Sequence, residues 1–288
     1  MKKNFKFILL LFITLTLTGC LKRDSMEDIT IYTTNYPSYY IVNRLYGKFS
    51  EVKSIYPNGS NINDYTLTSK QIKDYSKADL FVFNGLSKEK KYVTKMRKEN
   101  QSLKIIDTTL YMEYTKDMSE LWLDPSNFLM MAQNVKTGLK EYIDSYYLNS
   151  KINSNYEKLK IEASNLDAKI KDIVSNADNK VIVTSNNLFK YLEKYGLTVY
   201  VLNEEDSNIN ITLNEVRKLI QNGSIKYIFI KNDEEENSII KNLVNSNKIT
   251  VQKWHTLSNI SEIEDSENQD YFSIMNNNLE LLKNELYN

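Results

Sequence analysis

Glu120 is the carboxylate whose neighbours most suggest a chemical role. It opens the stretch Glu120-Leu121-Trp122-Leu123-Asp124-Pro125, in which large apolar side chains stand between carboxylates. Asp124 is a good N-cap and Pro125 suits the first helical position, so this pair predicts a helix start. An apolar strand end that leads into a capped helix holds its side chains firmly. We expect Glu120 at its exposed edge, and whether it has a chemical role depends on what the rest of the chain brings to it.

The counts of His and Cys exclude several classes of site. The 288-residue chain has one His, His255, and one Cys, Cys20. A disulfide framework, a zinc finger and the His-Glu-x-x-His motif of metalloproteases are therefore impossible. The chain also has no Gly-x-Ser-x-Gly motif and no Gly-rich phosphate loop, and an acid–base pair of Glu120 and His255 would lack a nucleophile. We predict that the protein is not an enzyme.

The charge balance and the N-terminus indicate where the protein works. Lys plus Arg and Asp plus Glu both number 37, so no basic field indicates nucleic acid. Residues 1–19 read as a signal peptide, because basic residues precede a short apolar run that ends in small residues. Leu17-Thr18-Gly19-Cys20 looks like a bacterial lipobox, in which Cys20 receives the lipid. We predict an extracytoplasmic protein that is anchored to a bacterial membrane through Cys20, with residues 21–28 as a tether.

Strand and helix patterns alternate in both halves of the chain. Leu80–Phe83 is continuously apolar, as expected of a strand buried on both faces of a parallel sheet. Alternation of this kind predicts an α/β fold with mainly parallel sheets. Thr212 and Glu215 fit a capping box at a helix start, and residues 233–236 fit the acidic first turn of the next helix. The other predicted strands are Ile29–Thr33, Val52–Tyr56, Leu103–Ile106, Val181–Val183, Leu197–Leu202, Ile225–Ile230 and Ile249–Gln252.

The middle of the chain has a helical pattern instead. After a break near Asn149, apolar residues recur in steps of four and three from Ile152 to Ile173, without Gly or Pro. A helix of this length spans roughly 35 Å at 1.5 Å per residue. We therefore predict two Rossmann-like lobes, residues 29–147 and 178–288, joined by a long rigid backbone helix over residues 148–177.

Several motifs in this order resemble one known family. They are Ala78-Asp79-Leu80-Phe81-Val82-Phe83-Asn84-Gly85-Leu86, the Leu121-Trp122-Leu123-Asp124-Pro125 stretch, and Val183-Thr184-Ser185 followed by Tyr195-Gly196-Leu197. The chain is similar over nearly all its mature length to the lipid-anchored solute-binding proteins of zinc and manganese ABC importers. The resemblance implies two lobes that hold a metal ion between them.

The resemblance also implies four metal ligands, carried over position by position. They are Asn63 after the Pro-Gly turn, Glu120 two residues before the Trp, Asn186 after Thr-Ser, and His255 after the last strand. The family usually has His, His, His or Glu, and Asp or Glu in these places. Two amides are weak ligands for a transition metal. Asp64 and the acidic cluster Glu204–Asp206 are the carboxylates that can compensate, and the four residues should converge within a few ångströms if the carry-over is right.

Two functions follow from this sequence as hypotheses. The first is the binding lipoprotein of an ABC importer, which captures zinc or manganese between its lobes and delivers it to a permease and its ATPase as a monomer. The alternative is a diverged relative without transition-metal binding, which acts as an accessory or adhesion lipoprotein or binds another small solute. No organic cofactor is predicted in either case.

Overall fold

Two parallel four-stranded sheets form the two halves of the molecule. The computed structural model describes residues 24–113, 120–246 and 249–287. The first sheet has the strand order β2-β1-β3-β4 and the second β6-β5-β7-β8, with every pairing parallel. This arrangement confirms the predicted α/β class. The strands are β1 (Ile29–Thr33), β2 (Ser50–Ser54), β3 (Leu80–Phe83), β4 (Lys104–Asp107), β5 (Val181–Thr184), β6 (Thr198–Val201), β7 (Tyr227–Lys231) and β8 (Thr250–Trp254).

Helices connect these strands and fill the middle of the chain. In chain order the helices of the described residues are α1 (Tyr36–Tyr46), α2 (Ser69–Tyr75), α3 (Lys90–Glu99), α4 (Pro125–Tyr142), α5 (Tyr146–Ser175), α6 (Ile209–Gln221), α7 (Ser238–Ser246), α8 (Glu262–Ser266) and α9 (Tyr271–Leu286). Short 3-10 helices cover Gly47–Phe49, Leu121–Leu123 and Asn187–Tyr195. Parallel strands need such crossover connections, because a hairpin cannot join them.

The long helix between the lobes is α5, with 30 residues. Its buried positions include Ile152, Leu159 and Ile173, which belong to the predicted apolar stripe. The break before it lies earlier than predicted: α4 ends at Tyr142, and Ser145 caps α5 by accepting a hydrogen bond from the Leu148 N–H. The connecting helix is therefore Tyr146–Ser175 rather than 148–177.

Two local predictions differ from the structure. The Thr212 capping box is wrong, because α6 begins one turn earlier, at Ile209. Residues 233–236 precede α7 instead of forming its first turn, since α7 begins at Ser238. The segment after β5 is a 3-10 helix capped by Asn186, which ends at Gly196 with a φ of 103°. A positive φ at that position favours glycine.

The core runs from one lobe to the other without interruption. One cluster of buried apolar side chains joins strands of both sheets to α4, α5 and α9. Trp122 lies within it, 2 % exposed. Its indole N–H donates to the Thr256 carbonyl at 2.7 Å, and the Tyr271 hydroxyl donates to the Trp122 carbonyl at 2.5 Å. The 3-10 helix that carries Trp122 is thus hydrogen-bonded to the C-terminal lobe through both the side chain and the backbone carbonyl of this residue.

The N-terminal end of the described chain is packed rather than free. Met26 is fully buried and accepts a hydrogen bond from the Tyr46 hydroxyl at its carbonyl. Asp24 Oδ2 accepts the N–H groups of Asp144 and Ser145. Residues 24–28 of the predicted tether therefore contact the N-terminal lobe. The predicted signal peptide and Cys20 lie outside the described residues. Within the part of the chain that is described, no helix is long and apolar enough to cross a membrane.

Candidate functional site

Polar residues gather where the strands of both sheets end. Asn35, Asn84, Ser185, Lys231 and His255 all lie at or just after the carboxyl end of a strand. Ligands of parallel sheets bind at this edge, because the chain leaves the sheet there in loops that converge. The two lobes present these edges towards each other, and two neighbouring cavities lie there.

The first cavity contains Glu120, and we call it the Glu120 cavity. Its volume is about 250 Å³. Asn63, predicted as a ligand, is part of the same lining. Both lobes contribute, since Ser258 of the C-terminal lobe joins residues of the N-terminal lobe. The lining consists of Asn35, Ile62, Asn63, Asn84, Leu86, Ser87, Lys88, Glu89, Glu120, Trp122 and Ser258.

Glu120 is buried and is bonded to a lysine of the other lobe. The residue is 5 % exposed, so the expectation of an exposed edge is wrong. Its Oε1 lies 2.8 Å from the Nζ of Lys231, the last residue of β7. Burial makes an unpaired carboxylate costly, and the lysine offsets that cost. The predicted metal ligand therefore already has a cationic partner.

Asn63 lies at the rim of the same cavity. Its side chain is exposed, in a turn where Asn61 Oδ1 accepts the Asn63 N–H at 2.9 Å. The Lys88 ammonium donates to the carbonyls of Asn63 and Tyr65. A second lysine thus fixes the backbone of this turn and places another positive charge at the cavity that Glu120 lines.

Asn186 is held within the C-terminal lobe. Its Oδ1 accepts the Leu188 N–H at 2.9 Å as the cap of the 3-10 helix. Its Nδ2 donates to Glu234 Oε2 at 2.8 Å and to Ser185 Oγ at 2.9 Å. The same Oε2 accepts the Lys231 N–H at 3.1 Å. Asn186 therefore helps to hold Glu234 at the end of β7, from which the Lys231 side chain extends towards Glu120.

His255 lines the second cavity, which we call the His255 cavity, of about 240 Å³. Its Nδ1 accepts the Leu257 N–H at 3.0 Å, which leaves the proton on Nε2, 3.1 Å from Glu264 Oε1. Burial lowers the pKa of His255, and the carboxylates of Glu264 and Asp233 oppose this effect. A neutral imidazole is the form that binds metal ions. Leu257, which donates its N–H to Nδ1, has a φ of 59°, a strained value for a bulky residue.

The four predicted ligands are thus distributed over three places. Glu120 and Asn63 line one cavity, and His255 lines its neighbour, which shares Ile62 and Ser258 with it. Asn186 is turned to Glu234, outside both linings. Over residues 24–113, 120–246 and 249–287, no group of three or more His, Cys, Asp or Glu side chains is arranged to hold a metal ion.

The carboxylates named as possible compensation point elsewhere. Asp64 is exposed and accepts a hydrogen bond from Asn61 Nδ2. Glu204 Oε1 accepts the N–H and the hydroxyl of Ser238 at the start of α7, and these bonds lower its pKa. Neither residue belongs to the lining of the Glu120 cavity or the His255 cavity.

Sequence reasoning missed Lys231, Glu234 and Glu264. Lys231 carried a usable signal, because it follows a predicted apolar strand directly and so had to lie at the ligand-binding edge of a parallel sheet. Glu264 had a weaker one, since Ser261 and Glu264 form the capping box of α8. The pairing of Lys231 with Glu120 had no local signal.

Comparison with known proteins adds to this geometry. The family model described as zinc-uptake complex component A, periplasmic, matches residues 31–285. The chain belongs to this family. That family is one of solute-binding proteins, in agreement with the resemblance drawn from the motifs.

Relatives of the zinc-uptake complex component A family share moderate identity with this chain. The manganese ABC transporter substrate-binding lipoprotein PsaA of Streptococcus pneumoniae is 26 % identical, with 96 % of this chain and 97 % of PsaA covered. The zinc-binding protein AdcA of Streptococcus pyogenes is 24 % identical over 88 % of this chain and 55 % of AdcA. The structure of the Zn(II)-bound ZnuA-like domain of Streptococcus pneumoniae AdcA superposes with a TM-score of 0.73 at 20 % identity, covering 91 % of this chain and all of that domain. This likeness confirms the two-lobe fold.

Proposed function

We propose that this protein is the substrate-binding lipoprotein of an ABC importer for a divalent metal ion, zinc or manganese. Membership of the zinc-uptake family and the names of PsaA and AdcA support this function. The structural observation that carries it is the buried Glu120 carboxylate, held against a positive charge at the junction of the lobes. A buried carboxylate at that edge is the feature that a cation-binding cleft requires.

In this proposal Glu120 is the anionic ligand, and His255 is the neutral nitrogen ligand from the opposite lobe. Asn63 and Asn186 contribute amide oxygens, and for Asn186 this requires its Oδ1 to release the Leu188 N–H that it accepts as a helix cap. With Lys231 and Glu264 in their present positions, Glu120 and His255 are each engaged with another side chain. Binding of an ion by both therefore requires these two contacts to open, and the ion then replaces the Glu120–Lys231 contact as a link between the lobes.

Delivery to a membrane permease and its ATPase, and attachment through Cys20, belong to the same proposal. Replacing the lipid-accepting cysteine tests the anchor. We expect Cys20→Ser to move the protein from the membrane fraction to the soluble fraction of cells that express it. An unchanged membrane fraction would exclude Cys20 as the attachment point.

Metal binding is tested on the full-length protein in detergent. We expect Zn²⁺ or Mn²⁺ to bind with a stoichiometry near one and to raise the melting temperature. Glu120→Gln and His255→Gln should each weaken binding at least about tenfold, because each removes a ligand or its charge. Glu99→Gln, which changes an exposed carboxylate at the end of α3, is the matched control.

Calorimetric titration with ZnSO₄ and with MnCl₂ distinguishes the two ions. If neither ion binds to the wild type and none of the variants alters its melting behaviour, metal capture is excluded. The protein would then be the diverged relative that acts as an accessory surface lipoprotein or binds another small solute.

A further inference from the structure

Lys231 occupies the place at Glu120 that a bound cation would take. Its Nζ is 2.8 Å from Glu120 Oε1, which is hydrogen-bonding distance for an ammonium and a carboxylate. The Glu120 side chain is 4 % exposed and that of Lys231 is 22 % exposed. The contact is therefore largely shielded from water, and its charges attract each other more strongly than charges at the surface do.

The backbone of Lys231 is anchored independently of this contact. Its N–H donates to Glu234 Oε2, an atom that also accepts from Ser185 Oγ at 2.7 Å and from Asn186 Nδ2. Glu234 thereby fixes the end of β7 from inside the C-terminal lobe. The lysine side chain extends from this fixed point across to the N-terminal lobe, so its ammonium is presented to Glu120 without rearrangement of the sheet.

Charge explains why this matters for a divalent ion. Glu120 and Lys231 together are neutral, and Lys88 brings a further positive charge to the Glu120 cavity. A divalent ion that entered beside a seated Lys231 would meet two ammonium groups and two carboxylates, Glu120 and Glu89. Both carboxylates already accept from other side chains, Glu120 from Lys231 and Glu89 from the Tyr56 hydroxyl. The ion can use Glu120 only if the Lys231 ammonium leaves.

We propose that Lys231 is an intramolecular competitor of the transported metal ion, and that it sets the affinity of the cleft by occupying Glu120. This inference rests on the proposed function, because it concerns the same carboxylate. Since the competitor is tethered, its effective concentration at Glu120 is high. The measured affinity is the intrinsic affinity of the site multiplied by the fraction of molecules in which Lys231 has left Glu120.

Removal of the ammonium is the direct test. In the full-length protein we expect Lys231→Met to bind Zn²⁺ or Mn²⁺ at least about tenfold more tightly than the wild type, since the competent fraction rises towards one. Lys231→Gln should show the same gain. The Gln amide still donates a hydrogen bond to the buried Glu120 carboxylate. The Gln variant therefore allows the measurement even if the Met variant does not fold. Titration with ZnSO₄ and MnCl₂ against a chelating indicator measures both.

Two controls separate competition from a general effect on stability. Lys194→Met removes another lysine that bridges the halves of the chain, through Asp124 at 2.5 Å, and lies in neither cavity lining. It should bind metal as the wild type does. The double variant Glu120→Gln/Lys231→Met should lose the gain, because the vacated position then has no charged ligand.

The outcomes distinguish this inference from the proposed function. Tighter binding in both Lys231 variants, with Lys194→Met unchanged, supports it. If the wild type binds no metal and the Lys231 variants do, the inference stands and metal import by the natural protein is excluded. If the Lys231 variants bind no more tightly than the wild type, or bind nothing, the inference is overturned whatever the wild type does.

Discussion

Two carboxylates of one short segment, Glu120 and Asp124, each pair with a lysine from the second half of the chain. The Glu120–Lys231 pair is buried, with side-chain exposures of 4 % and 22 %. The Asp124–Lys194 pair is wetter, at 13 % and 37 %, and Lys194 also lies 3.6 Å from Asp167. Asp124 has a second task as the cap of α4, where it accepts the Ser126 N–H at 2.8 Å.

The contrast shows that two ion pairs of the same charge contribute differently to stability, depending on how far each is buried. Lys194 can exchange Asp124 for water or for Asp167 at little cost, since exposed pairs contribute little free energy. Glu120 is buried, and loss of the counter-charge of a buried carboxylate is strongly destabilising. The Asp124–Lys194 pair therefore has little effect on the stability of the protein. The Glu120–Lys231 pair couples that stability to whichever cation lies beside Glu120.

The largest effect should come from breaking the buried pair. Lys231→Met should lower the free energy of unfolding by about 3–5 kcal/mol, because it removes the lysine that offsets the charge of the buried Glu120 carboxylate. Glu120→Gln/Lys231→Met should recover most of that loss, which guanidinium unfolding of the three proteins measures. A loss below about 1 kcal/mol in the single variant would place the pair in the same class as Asp124–Lys194.

A buried carboxylate held by backbone N–H groups extends the comparison. Glu285 on α9 is 1 % exposed and accepts the N–H groups of Lys226 and Tyr227, and burial raises its pKa to about 7. Its folded pKa exceeds the ordinary value of 4.5, so its stabilisation is complete below that pH and is lost as the pH rises through 7. Relative to Glu285→Gln, the wild type should lose on the order of 3 kcal/mol between pH 4.5 and 8. Urea unfolding across this range measures the difference, and parallel curves would contradict it.

Asp124 allows its two tasks to be separated. Asp124→Ala removes both the cap and the ion pair and should cost about 1–2 kcal/mol. Asp124→Asn keeps an N-capping oxygen and removes only the charge, so it should cost less than about 1 kcal/mol. Thermal unfolding of both variants checks the order, and equal losses would mean that the charge dominates over the cap.

The smallest effect is expected at Lys194. Lys194→Met should change the free energy of unfolding by less than about 1 kcal/mol, and 1 M NaCl should remove most of the difference, because salt screens exposed charges. The loss in Lys231→Met should persist in the same salt. A salt-independent loss at Lys194 would show that this pair is shielded as well.

The fold was predictable because its signals are local. Leu80–Phe83 is apolar without interruption, as a central parallel strand must be, and the stripe from Ile152 to Ile173 repeats at the helical period over many turns. Asp124-Pro125 encodes its own cap. Where local signals competed, the prediction was wrong: Thr212 fits a cap, but α6 continues one turn further back to Ile209.

The site was less predictable because its contacts are not local. Glu120 was expected at an exposed edge, since nothing nearby covers it in the sequence. Its partner Lys231 is 111 residues away and reaches it only when the two sheet edges meet. His255 was placed correctly after the last strand, but its contact with Glu264 depends on how the chain turns between β8 and α8, which no pattern of residue types predicts.

The chain has two tryptophans, Trp122 and Trp254, and both are at most 2 % exposed. The Trp122 indole is bonded to Thr256 in the opposite lobe. Separation of the lobes would break that bond and bring water to the ring. The protein therefore contains an intrinsic optical reporter, because the wavelength of its tryptophan emission should move to the red when the lobes part and to the blue when they close.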